Sequence, residues 1–159
     1  MKVIFFHTTF RSIVSILISI FTLSKYSHAA IMCDSAVYDA IDGDFDCIGS
    51  ICDLDKNRKI TIYEICSKTP SAALEEVERM KKECKMFSYS TIKAYIKNSE
   101  SDIYCFKAVA SILKSSGMSI SSSCRTNANS LLKCIKLHNK EVLFSGYPVD
   151  FMRKDSYNS

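Results

Sequence analysis

The densest run of metal-ligating chemistry in the chain lies between two cysteines: Cys52-Asp-Leu-Asp-Lys-Asn-Arg-Lys-Ile-Thr-Ile-Tyr-Glu-Ile-Cys66. Asp53, Asp55, Asn57 and Glu64 stand at positions one, three, five and twelve of a twelve-residue calcium loop. Calcium is a hard cation that takes about six to eight oxygen ligands, which such a loop supplies from alternating residues. Lys59 at position seven would contribute its backbone carbonyl, Thr61 at nine a direct or water-mediated contact, and Glu64 both carboxylate oxygens. Ile60 at position eight fits the apolar plug of such a loop. One position disagrees. Arg58 stands where glycine usually makes the sharp turn, a strain of ~1–2 kcal/mol for a residue with a Cβ. Lys56, Arg58 and Lys59 also oppose the three carboxylates. The expectation is a single weak calcium site of the extracellular kind, with a dissociation constant of ~0.1–1 mM. Its rival is a degenerate loop that keeps its shape without metal.

Cys-Asp-Leu-Asp, Asn57, a basic residue in place of glycine, Ile60, Glu64 and a following cysteine together resemble the extracellular EF-hand of osteonectin-type matrix proteins. The likeness covers only the stretch Cys52–Cys66. It implies a helix-loop-helix unit over residues 38–69 with calcium in the loop. It also implies a Cys52–Cys66 bridge, which would stabilise by about 3 kcal/mol in the chain-entropy estimate. Asp42-Gly-Asp44-Phe-Asp46 begins like a second loop, but its twelfth position is Asp53, already used by the first. Those acids read instead as the start of the entering helix.

Other chemistry is sparse. There is no Cys-x-x-Cys, no Gly-x-Ser-x-Gly and no phosphate-binding glycine loop. His7 and His28 fall in a segment expected to be removed, which leaves His138 at the end of a lysine-rich helix. Oxidised cysteines would leave no thiolate nucleophile. Catalysis is therefore not expected.

The removed segment is a secretory leader over residues 1–29. Lys2 and Arg11 precede an apolar run from Ile13 to Leu23, and Ser27-His28-Ala29 offers small residues for cleavage. That run is shorter than the ~20 residues a membrane span needs, so cleavage is favoured over an anchor and no stable membrane insertion is expected. All eight cysteines lie beyond residue 29, as a secreted disulfide framework would have them. Without its leader the chain carries 18 Lys and Arg against 17 Asp and Glu. From Ala30 to Asp55 there are seven acids and no base, and the later lysines are spread. No basic patch with interleaved aromatics appears, so nucleic acid is not an expected partner.

Helices must carry these residues. Ile41, Phe45, Ile48 and Cys52 recur at helical spacing from Asp34 to Cys52, and Thr61 to Lys68 would exit the loop. Thr69-Pro70 caps a helix to about Lys85, with Leu74, Val77, Met80 and Cys84 on one face. Further helices are expected over Thr91–Lys97, Ser101–Ser115 and Thr126–Asn139, and a polar, flexible tail over residues 151–159.

The expected fold is a small all-α, disulfide-stapled bundle at residues 30–150. The expected function is secreted calcium binding that stabilises or modulates contact with an extracellular protein or matrix partner. The alternative is a lipid or sterol carrier, or a receptor-binding effector, with a metal-free loop. Cys105…Cys124, with Ala108, Val109 and Leu113 between, is similar to the helices of elicitin-like sterol carriers. The simpler account of those three residues is core packing.

Overall fold

The computed structural model describes residues 1–10, 13–41, 44–83, 105–121, 128–138 and 142–156. It is organised around strand β1, Lys2–His7. Val3, Ile4, Phe5 and Phe6 are all buried, so this strand is apolar on both faces, as a strand in mid-sheet must be. It pairs antiparallel with β2 (Tyr26–Cys33) on one side and β5 (Ile60–Glu64) on the other. β3 (Ala36–Ile41) and β4 (Asp44–Gly49) extend one edge, and β6 (Val142–Gly146) closes the other. The order across the six-stranded sheet is β4-β3-β2-β1-β5-β6.

Alternation along β1 divides the core. Val3 and Phe5 face Ala29, Ile31 and Tyr63 under a helical layer. That layer comprises α2 (Pro70–Glu83), α3 (Cys105–Ser115) and α4 (Ala128–His138). Its buried residues follow helical spacing: Ala73, Val77 and Met80 on α2; Phe106, Val109, Ala110 and Leu113 on α3; Leu131 and Ile135 on α4. Ile4 and Phe6 face the other side with Ala30, Met32, Val37, Ile60 and Ile62. A 3-10 turn at Ile51–Asp53 and helix α5 (Pro148–Ser156), through Phe151, cover that side. Helix α1 (Ile13–Thr22) connects β1 to β2. Helix α3 ends on Gly117 at φ +88, where the Met118 amide donates to the Leu113 carbonyl at 3.1 Å. This left-handed stop is one that glycine adopts without strain.

The all-α expectation is overturned: the protein is α+β. Residues 34–52, expected as an entering helix, form the β3–β4 hairpin, with Ile41 paired to Asp44. Asp42-Gly43 is the dipeptide that two-residue hairpin connections favour, and Val37, Asp39 and Ile41 alternate around it. The expected exit helix is β5, whose Ile-Thr-Ile-Tyr run is β-branched and aromatic. Phe151 is buried in α5 rather than lying in a free tail. The helices begun at Pro70, within Ser101–Ser115 and within Thr126–Asn139 are present. The one expected at Thr91–Lys97 lies outside the described residues.

The disulfide staple is likewise overturned. Cys33, Cys47, Cys52, Cys66 and Cys105 are free thiols, and among the described cysteines only Cys134 is disulfide-bonded. Secretion and a cleaved leader also lose their support, because residues 1–29 supply β1, α1 and the first half of β2. Removing residues 1–29 should abolish cooperative unfolding, monitored by circular dichroism. In the full chain, Phe5→Ala should cost ~3–5 kcal/mol, since Phe5 is fully buried against Tyr26 and Tyr63. A cooperatively melting 30–159 fragment would show that β1 is dispensable.

Candidate active site

The six residues expected around calcium do not converge. Asp53 lies in the 3-10 turn, where its Oδ2 accepts hydrogen bonds from the Ser50 amide at 2.7 Å and hydroxyl at 2.9 Å. Asp55 Oδ1 accepts from the Asn57 amide at 2.9 Å, a local turn contact. The Lys59 carbonyl accepts the His7 amide at 2.9 Å, so its oxygen is committed to backbone pairing. Thr61 is buried on β5, with its hydroxyl 2.9 Å from His7 Nε2 and 3.2 Å from Ser145 Oγ. Glu64 is exposed at the far end of β5, opposite Lys2. Three residues of strand separate Thr61 from Glu64 by ~10 Å and point them to opposite faces, whereas a helical exit would have curled them together.

Arg58 also turns away from the loop. Its guanidinium donates to the His7 carbonyl and the Ser27 hydroxyl and lies 4.9 Å from the Phe6 ring centre. Among the described residues no group of three His, Cys, Asp or Glu side chains is placed to hold a metal ion. The calcium-binding expectation is corrected accordingly. So is the Cys52–Cys66 clamp, because both thiols are free.

A different set of residues does come together. β2 carries His28, β3 carries Asp39, and α3 opens in the described residues with Cys105. His28 Nε2 and Asp39 Oδ1 are 2.6 Å apart, with Asp39 only 3% and the His28 side chain 15% exposed. The Ala40 amide donates to the same Asp39 oxygen at 2.7 Å and holds the carboxylate in place. Cys105 lies near enough to His28 to act, with Asp39, on the charge state of the ring. The Phe6 ring, paired across the strands, sits 5.4 Å from the imidazole and forms an apolar wall.

Burial opposes charge on His28, but the negative charges and hydrogen bonds of Asp39 and Cys105 outweigh it and push its pKa up to about 10. The His28 imidazolium is thus paired with the buried Asp39 carboxylate. A thiol near an imidazole, and a buried carboxylate orienting that imidazole, are the residue types that a nucleophile–base–orienter arrangement of covalent catalysis uses.

The other histidines have different surroundings. His7 is driven down to about 4 by burial and by Lys25, Lys59 and Arg58, which keeps it neutral beside Thr61. His138 turns back on its own helix, with Nδ1 2.9 Å from the Cys134 carbonyl.

None of the three residues stands out in the sequence. His28 falls in the expected leader, Cys105 in the expected disulfide framework and Asp39 in the acidic run from Ala30 to Asp55. The usable signal was the run Tyr26–Cys33, which carries two aromatic or β-branched residues and ends in a turn, and which reads as a strand once the leader is set aside. Ala108, Val109 and Leu113, the residues of the carrier-like spacing, are core.

No protein-family model, curated protein or solved structure matches the chain.

The raised His28 pKa has a signed consequence. It contributes stability that is complete below pH 6.5, the unfolded value, and is lost as pH rises from 6.5 to about 10. Asp39→Asn removes the carboxylate that holds the charge, so the His28 ring signal followed by NMR should titrate more than one pH unit lower. An unchanged titration would show that Asp39 does not hold the charge. Calcium at several times ~1 mM should leave the melting temperature unmoved, because no ligand set is assembled among the described residues to favour the folded state.

Proposed function

We propose that this chain is a cysteine-nucleophile hydrolase or acyltransferase acting on an amide or ester carbonyl. The observation that carries the reading is the buried Asp39–His28 pair with Cys105 near enough to act on the imidazole. It departs from the non-catalytic, secreted role expected of the sequence. Cys105 is the nucleophile, His28 the proton carrier and Asp39 the orienting residue.

Chemistry follows from these positions. The Cys105 thiolate attacks the carbonyl carbon, a C–S bond forms, and the carbonyl π pair moves to oxygen. As the tetrahedral centre collapses, the bond to the leaving nitrogen or oxygen breaks, and His28 gives that atom its proton. The product is an acyl-thioester on Cys105. Water, or another acceptor hydroxyl or amine, then loses a proton to His28 and displaces the thiolate. Asp39 keeps Nε2 occupied throughout and so fixes the orientation of the ring. It also stabilises the imidazolium present before attack.

The free thiols supply an internal control. Cys47, Cys52 and Cys66 are exposed, whereas Cys105 is 4% exposed but lies near the His28 imidazole. Below the ordinary thiol range only a stabilised thiolate reacts well. Treatment with an activated acyl ester at pH 6, followed by peptide mass analysis, should place the acyl group on Cys105 ahead of the exposed cysteines. His28→Ala should slow acylation by ~100-fold or more. Equal or faster labelling of Cys47, Cys52 and Cys66 would rule the nucleophile assignment out.

A further inference from the structure

Helix α1 is built inside out. Its serines face the protein: Ser15 Oγ donates to Ser27 Oγ at 2.7 Å and accepts the Thr9 amide at 3.1 Å, while Ser19 Oγ donates to the Ser24 carbonyl at 2.5 Å. Two of its four isoleucines face out. Ile13 and Ile20, two turns apart on one side, are 77% and 60% exposed, and the flanking Phe10 and Leu23 are 91% and 88% exposed. A helix on a globular surface ordinarily turns its polar stripe outward. Leu23 is also held at φ +49, a left-handed conformation unusual for a bulky residue, and this keeps its side chain in the open.

The charge around this rim has one sign. No acid occurs between Met1 and Cys33, and none in α4. The Asn129 side chain donates to the Leu23 carbonyl at 3.1 Å, which sets the outward face of α4, with Lys133 and Lys136, beside the rim. Lys25, also exposed, lies two residues past Leu23. Exposed apolar side chains bordered by lysines match the chemistry of a lipid surface with anionic head groups. α1 has ten residues, about 15 Å of helix against a hydrocarbon core of about 30 Å, so it can lie in an interface but not cross one.

We propose that Phe10, Ile13, Ile20 and Leu23, with Lys25, Lys133 and Lys136, form a docking surface for an anionic lipid bilayer. This surface is independent of the catalytic assignment and is tested without any activity measurement. The full chain should float with vesicles of mixed phosphatidylcholine and phosphatidylserine, and binding should weaken as salt is raised. Leu23→Gly suits the left-handed backbone, and Phe10→Ser alters a fully solvated position; each should keep the wild-type circular dichroism spectrum. Together they should lower vesicle binding about tenfold or more. Lys133→Glu with Lys136→Glu should remove the preference for the anionic lipid. Absence of flotation, or flotation unchanged in the Phe10→Ser/Leu23→Gly variant, overturns the proposal. So does a dimer, seen by sedimentation, that these two substitutions dissociate while no vesicle binding is found. A purified protein whose mass shows residues 1–29 removed overturns it too, since the surface would be gone.

Discussion

Pairing of β1 on both edges is the constraint on which the rest of this molecule depends. Val3, Ile4, Phe5 and Phe6 have no polar face to give to water, so the strand is stable only with a neighbour on each side and a layer above and below. β2 and β5 supply the neighbours. α2, α3 and α4 supply one layer, and the Ile51–Asp53 turn with α5 supplies the other. Phe5 lies at the centre, touching Tyr26 on one neighbouring strand and Tyr63 on the other.

Position within that sheet is what turns three ordinary side chains into a site. His28 lies opposite Phe6 in the β1–β2 register, so its ring has an apolar wall and little water. Asp39 arrives from the next strand, 3% exposed, with the Ala40 amide fixing its carboxylate. A buried carboxylate without a cation is costly, and so is a buried imidazolium without an anion; each offsets the other. α3 packs on β2 and β3 and carries Cys105 into their neighbourhood. The same register explains the failed calcium loop: once Ile60–Glu64 pairs with β1, Thr61 and the Lys59 carbonyl are taken by His7.

The helical layer was readable from residue patterns, because α2, α3 and α4 each present one apolar stripe and α2 carries a Thr69-Pro70 start. The sheet was not. Val3–Phe6 is too short for periodicity to tell strand from helix, and beside an apolar Ile13–Leu23 it mimics an export leader. Ile41, Phe45 and Ile48 satisfy helical spacing by coincidence, while the Asp42-Gly43 dipeptide between them carried the hairpin signal. The Asp53–Glu64 pattern fits a calcium loop residue by residue, but the β-branched run at its end prefers a strand, and long-range pairing with β1 decided the outcome. His28, Asp39 and Cys105 are distant in sequence and share no motif, so only the sheet register and the docking of α3 reveal them together.

Chain order adds one more property. His28 and Asp39 lie in the first third of the chain, and five of the six strands are complete by Glu64, whereas Cys105 follows 77 positions after His28. Closing a loop of that length costs entropy, which packing of α3 on the sheet must offset before sulfur meets the ring. Until then Cys105 is a thiol like any other on an unfolded chain. The activity proposed for this position therefore belongs to the completed fold rather than to the residue, and a nascent or misfolded copy of the protein lacks it.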